Sequence, residues 1–105
     1  MVFQLGSALL DACVLAILHN EDTYGYRLTQ EVKELINISE STLYPVLRRL
    51  SKEGYLETYD QEYMGRNRRY YRLTEAGKQK YQEYVIEWEK FSNKVSDMLK
   101  GGNKE

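Results

Sequence analysis

The chain has 105 residues, 42% of them hydrophobic, and a formal net charge of −1, enough for one modest core and hardly for two independent ones. Its longest uninterrupted apolar stretch, Ala12 to Leu18, is too short to span a bilayer, and residues 1 to 10 carry no basic segment of a signal peptide. One Cys and one His exclude an intramolecular disulfide and a metal centre of Cys and His, so the expectation is a cytoplasmic protein without a cofactor.

The charge is unevenly distributed. Residues 1 to 40 hold two basic and six acidic side chains, residues 41 to 73 seven and four, and residues 74 to 105 six of each. A weakly acidic protein binds phosphates when its cations share one face, because salt screens charges farther away than roughly 8 to 10 Å.

Leu9, Leu10, Cys13, Val14, Ile17 and Leu18 recur at helical spacing, which predicts a first helix over Ser7 to His19 with Cys13 packing inside. Asn20 to Thr23 breaks it. Tyr24 and Gly25 lead into a second amphipathic helix ending near Ile36, with Leu28, Val32, Leu35 and Ile36 inward. A short joint at Asn37 and Ile38 then sets two helices in helix-turn-helix order.

The third helix is predicted to start near Ser41, with Ser39 and Ser41 as candidate N-caps, Pro45 early in the helix and Gly54 after its end. Leu43, Val46, Leu47 and Leu50 form its inward stripe. Ser41, Thr42, Tyr44, Pro45, Arg48, Arg49 and Lys52 are left toward solvent. Together with Ser39 at the helix start, these hydroxyls, an aromatic ring and three cations suit phosphate anchoring and contact with base edges in a major groove. Arg48 and Arg49 are the first candidates for affinity, and Tyr44 and Pro45 for apolar base contacts or for shaping the helix start.

Tyr55 to Tyr59 and Arg68 to Leu73 alternate as strands around a turn containing Gly65, a β-hairpin with Arg66, Asn67, Arg68 and Arg69 at or near its tip. A basic hairpin after a helix-turn-helix is a wing that reaches the DNA backbone or minor groove. Asp60 and Glu62 on the same hairpin are expected to point away from DNA. The fold class is therefore mostly α with a small hairpin: a winged helix-turn-helix over residues 1–73, followed by a dimerisation helix and tail over 74–105.

That last helix, Thr74 to Leu99, carries Tyr81, Trp88 and Val95 seven apart, and likewise Tyr84, Phe91 and Met98, two heptad rows without charge. A small winged domain leaves such a seam partly uncovered, so a second copy is the economical partner. Two wings on a two-fold axis would read a palindromic operator in double-stranded DNA. Glu83, Glu87, Lys90 and Lys94 read as an exposed face. His19 has no acid or nucleophile in register, so an enzyme is not expected.

The spacing of Tyr24-Gly25-Tyr26, Thr42-Leu43-Tyr44-Pro45 with Leu47, Arg49 and Leu50, then Gly54-Tyr55-Leu56, resembles the PadR-like family of winged-helix transcriptional regulators. Gly65 through Arg69, Tyr70-Tyr71-Arg72-Leu73-Thr74 and Gly77 extend the resemblance over about residues 8 to 90. One departure is Ser41, where many relatives have glycine. The resemblance implies a homodimer joined through the last helix with help from the first, in the branch with a single C-terminal helix. Trp88, in the middle of the seam, either fills the dimer core or borders an effector site: some relatives are similar at this position and stack planar aromatic drugs, and others respond to phenolic acids. The expected function is a repressor relieved by a small aromatic effector; the rival is a winged-helix dimer for protein interaction without a DNA target.

Overall fold

A computed structural model describes residues 7–101; the ends of the two expected segments, residues 1–6 and 102–105, lie outside the described residues. The elements run α1 (Ser7–Asn20), β1 (Thr23–Tyr24), α2 (Gly25–Lys33), α3 (Glu40–Lys52), β2 (Leu56–Tyr63), β3 (Arg66–Leu73) and α4 (Glu75–Leu99). Helix α1 is the hub, touching α2, α3, α4 and β3. It is accordingly apolar around much of its circumference, with Val14 and Leu15 fully buried.

Around α1 gather Leu28 and Val32 of α2, Leu43, Leu47 and Leu50 of α3, and Leu56 and Leu73 from the base of the hairpin. Each fully buried leucine contributes roughly 1.5–3 kcal/mol of transfer free energy. The helix periodicity places the buried leucines of α3 and Leu28 and Val32 of α2 correctly, but it leaves out Leu15, which is fully buried, and it misplaces Leu35 and Cys13. Helix α2 stops at Lys33, and the amides of Leu35 and Ile36 both donate to the Val32 carbonyl. This turn swings Leu35 outward, leaving it 70% exposed, whereas Ile36 packs on the core. Cys13, expected inside, is only half-buried.

Helix α3 begins at Glu40, one residue before the position predicted, with Ser39 in extended backbone as its N-cap residue. The Ser39 hydroxyl bonds the hydroxyls of Ser41 at 2.9 Å and Thr42 at 3.3 Å instead of capping an amide. Pro45 is therefore the sixth helical residue and has no N–H to give the Ser41 carbonyl. The helix continues because its next turns are held by Leu47 and Leu50 in the core.

The sheet has strand order β1-β3-β2, all antiparallel. Strand β1 was not predicted: two residues, Thr23 and Tyr24, pair with Tyr71 and Tyr70. The hairpin strands are longer than their tyrosine-rich cores suggest, closing with Tyr63 opposite Arg66. The connecting Met64 and Gly65 have φ of 52° and 80°, the two positive values of a type I′ turn.

Helix α4 is capped by Thr74, whose hydroxyl accepts from the Gly77 amide at 3.0 Å and donates to the Gly54 carbonyl at 2.6 Å. That hydroxyl ties the end of α3 to the start of α4. The molecule is 61 Å long and 27 by 21 Å across; α4 alone spans about 37 Å at 1.5 Å per residue.

Candidate nucleic-acid interface

At about 100° per residue, the core-facing Leu43, Leu47 and Leu50 set the opposite pole of α3 at Ser41, Pro45, Arg48 and Lys52. All four are exposed. Among the described residues neither Arg48 nor Lys52 makes an ion pair, so both cations remain available. Thr42 is also exposed, one flank away.

Tyr44 and Arg49 lie on opposite flanks of that face and are engaged by the protein. The Tyr44 ring packs over the start of α2, where a Cβ on Gly25 would come within 2.8 Å of its Cε1. Burial pushes the Tyr44 phenol up, with Glu40 adding to the effect. Glycine at position 25 is what lets α2 and α3 approach so closely. Arg49 is exposed, as its position in the sequence suggests, yet it is tied down, donating from Nη2 to Asp11 Oδ1 at 2.6 Å and from Nη1 to Glu53 at 3.4 Å.

Strand alternation divides the wing arginines between two faces. Arg66, Arg68 and Arg72 share one with Tyr24, Tyr59, Tyr63 and Tyr70; Asn67 and Arg69 share the other with Asp60 and Glu62. The acidic pair is therefore turned from Arg66 and Arg68 but not from Arg69, whose Nε lies 3.8 Å from Asp60. Arg68 is half-buried, its guanidinium 4.4 Å from the Tyr24 ring centre and 5.8 Å from that of Tyr63. Cation–π attraction holds it there. Tyr70 stacks on Tyr59, whose hydroxyl donates to Asp22 at 2.7 Å. The root of the wing is thus a stiff tyrosine–arginine ladder, and Arg66, beside the turn, is its most outlying cation.

The two heptad rows of α4 are divided as well. Tyr84 is buried, and Tyr81 and Phe91 pack against the subunit's own core. Trp88, Val95 and Met98 are 43%, 38% and 81% exposed. Between α1 and the first half of α4 lies an apolar groove of about 520 Å³, lined by Leu9, Cys13, Ile36, Tyr81, Tyr84 and Trp88 among others. His19, at the end of α1, stacks on Tyr81 with ring centres 4.4 Å apart. Among the described residues no group of His, Cys, Asp and Glu is arranged to hold a metal, and no helix is long and apolar enough to cross a membrane.

Residues 14–83 match the model of the transcriptional regulator PadR-like family. The chain belongs to this family. Its fold is similar to that of a Streptococcus mutans protein, with a TM-score of 0.91, 37% identity, and coverage of 100% of this chain and 99% of the other. A PadR-like transcriptional regulator of Bacillus cereus gives 0.86 and 29% identity over 96% and 99%. The negative transcriptional regulator PadR of Bacillus subtilis is 29% identical over 88% of this chain and 54% of its own length. That PadR has been solved with operator DNA, and its structure superposes with a TM-score of 0.66 at 26% identity, over 74% of this chain and 46% of the other. Proteins of the PadR-like family are transcriptional regulators and not enzymes.

Two residues that shape this PadR-like site escaped the sequence reading. Asp11 is 5% exposed and lies inside the apolar run Ala8-Leu9-Leu10-Asp11-Ala12. The signal was there, since an acid in an apolar helix face must find a partner or stay neutral. Tyr24 was placed in a motif without a role; its contact with Arg68 joins residues far apart in the chain and leaves no local trace.

Proposed function

We propose that the protein is a dimeric, sequence-specific DNA-binding transcriptional regulator, a repressor relieved by a small aromatic effector. The observation that carries the DNA reading is the outer pole of α3: Ser41, Pro45, Arg48 and Lys52 face solvent together, with the wing beside them supplying Arg66. Helix α3 enters the major groove, where Arg48 and Lys52 meet phosphates and Ser41, Thr42 and Pro45 approach base edges. The wing reaches the flanking backbone through Arg66 and Asn67. Arg68 and Arg69, held by Tyr24 and Asp60, contribute shape and field more than free side-chain reach.

The occupant of the apolar α4 stripe is a second copy of this chain. Support comes from the heptad spacing of Trp88 and Val95, their exposure, and the continuity of the stripe with the α1–α4 groove. A two-fold axis along α4 presents two copies of α3 to half-sites about 34 Å apart, or a multiple of that. The negative role of the Bacillus subtilis relative supports repression here.

A salt titration on DNA tests the central reading. In the wild type, log affinity falls linearly with log salt; in Arg48→Ala affinity drops across many sequences and the slope is shallower by about 0.9, one phosphate contact. A flat salt response would instead favour a protein-interaction module.

The proposed effector contact is Trp88, on the rim of the groove, whose ring centre is 6.2 Å from that of Phe91. A flat aromatic molecule seated there changes the spacing of the two reading helices and lowers DNA affinity. A panel of aromatic cations and phenolic acids is expected to quench Trp88 fluorescence and weaken DNA binding together. If both stay untouched across the panel, the effector reading fails.

A further inference from the structure

Three helices meet at one buried carboxylate. Asp11 Oδ1 accepts from Arg49 Nη2 of α3 at 2.6 Å, and Asp11 Oδ2 accepts from the Tyr84 hydroxyl of α4 at 3.3 Å. Asp11 itself is on α1, the hub of the fold. The Tyr84 phenol is pushed up to about 12, chiefly by burial and then by the Asp11 charge, so it stays protonated and remains a donor at neutral pH. Arg49 is held more firmly still, because its bond is charge-assisted and its partner is almost inaccessible.

This arrangement separates two arginines that are neighbours in sequence. Among the described residues Arg48 has no ion-pair partner, and it is exposed on the outer pole of α3. Arg49 keeps 42% of its side chain exposed, but swinging its guanidinium out toward a phosphate would break the bond to Asp11, and a carboxylate stranded in the core is strongly unfavourable. Arg49 therefore serves DNA binding by fixing the roll and depth of α3, not by touching the nucleic acid. Tyr84 lines the α1–α4 groove, so the helix that bears the exposed apolar stripe is anchored on the same carboxylate as the reading helix.

We infer that Asp11 is a positioning residue that sets α3 through Arg49 and ties that setting to α4 through Tyr84. The inference rests on the DNA-binding reading for its functional consequence, though the anchor itself is testable without DNA.

The experiment compares wild type, Asp11→Asn, Arg49→Met, the double variant and Tyr84→Phe, the last removing only a hydroxyl should the others fold poorly. In the free protein, hydrogen exchange of the α3 amides over residues 47–52 is expected to quicken about tenfold in each variant. The wing-tip amides should stay unchanged. Unaltered exchange in α3 in the variants that fold overturns the inference, whether or not DNA binds.

The second arm uses a mixed-sequence duplex long enough for two half-sites one helical turn apart, well below the melting temperature of every variant. Arg49→Met and Asp11→Asn are each expected to bind about tenfold more weakly, with the salt slope of the wild type retained. The double variant should be no weaker than either single one. A lost anchor that merely destabilised the protein would leave the affinity of folded molecules unchanged. A slope that falls in Arg49→Met as it does in Arg48→Ala would show a direct phosphate contact and overturn the positioning role. Absence of salt-dependent binding by the wild type counts against the DNA reading alone, and the exchange arm still decides the anchor.

Discussion

Gly77→Ala is expected to lower the unfolding free energy by about 3 kcal/mol, at the upper end of what overpacking costs. A Cβ at this position would lie 2.1 Å from the Tyr55 carbonyl oxygen and 3.2 Å from Leu73 Cδ2. The oxygen is backbone and cannot rotate aside. It is also committed, since it accepts the Thr74 amide at 3.1 Å, so relief requires α4 to lift from the sheet. Lifting α4 loosens the Thr74 cap and draws Tyr84 from the core. Urea unfolding of the variant, read by circular dichroism, checks this. A midpoint equal to that of wild type would mean that the first turn of α4 does not sit against Tyr55 as described.

The second large effect is expected from Val95→Asp. Val95 is 38% exposed on the distal part of α4, so a charge there leaves the subunit's own core intact and acts on what covers the stripe. If a second copy does so, the variant sediments as a folded monomer at concentrations where the wild type is a dimer. Its affinity for a two-half-site operator then falls about 10²- to 10⁴-fold, the advantage of binding both sites at once. Affinity for a single half-site should hardly change. A Val95→Asp protein that keeps the mass and affinity of wild type would remove α4 as the dimer seam.

Gly77 and Val95 also show how differently the two ends of α4 could be read from the chain. The heptad spacing of Tyr81, Trp88 and Val95, and of Tyr84, Phe91 and Met98, was legible as one uninterrupted stripe. Which part of it serves the subunit's own core was not, because that depends on where α1 crosses α4. The structure assigns Tyr84 wholly, and Tyr81 and Phe91 partly, to the fold, sets Trp88 half-exposed beside Phe91, and leaves Val95 and Met98 on the surface. Gly77 was recognisable as part of a family motif, but its reason, the Tyr55 carbonyl between α3 and β2, belongs to the folded chain.

The reading helix followed the same division. Leu43, Leu47 and Leu50 announce α3 because helical geometry repeats every 3.6 residues and water selects one face. The hairpin was equally visible, since side chains alternate along a strand. Residue-level roles were less so. Arg48 and Arg49 are the same amino acid in adjacent positions, and sequence alone treats them alike; a rotation of about 100° turns one to solvent and the other to Asp11. Arg66 and Arg68 share a strand face, yet only Arg68 lies under Tyr24.

By itself, then, the order of residues determined the helices, the wing, the inward stripes and the family, all of which rest on local periodicity and on motifs read along the chain. Only the tertiary structure decided the strand at Thr23–Tyr24, the outward turn of Leu35, and which cations are free and which are tied. Those outcomes depend on partners far away in the chain, Asp11 for Arg49 and Tyr24 for Arg68. An ion pair or a stacked ring is a property of the packed chain, in which distance along the sequence no longer measures distance in space.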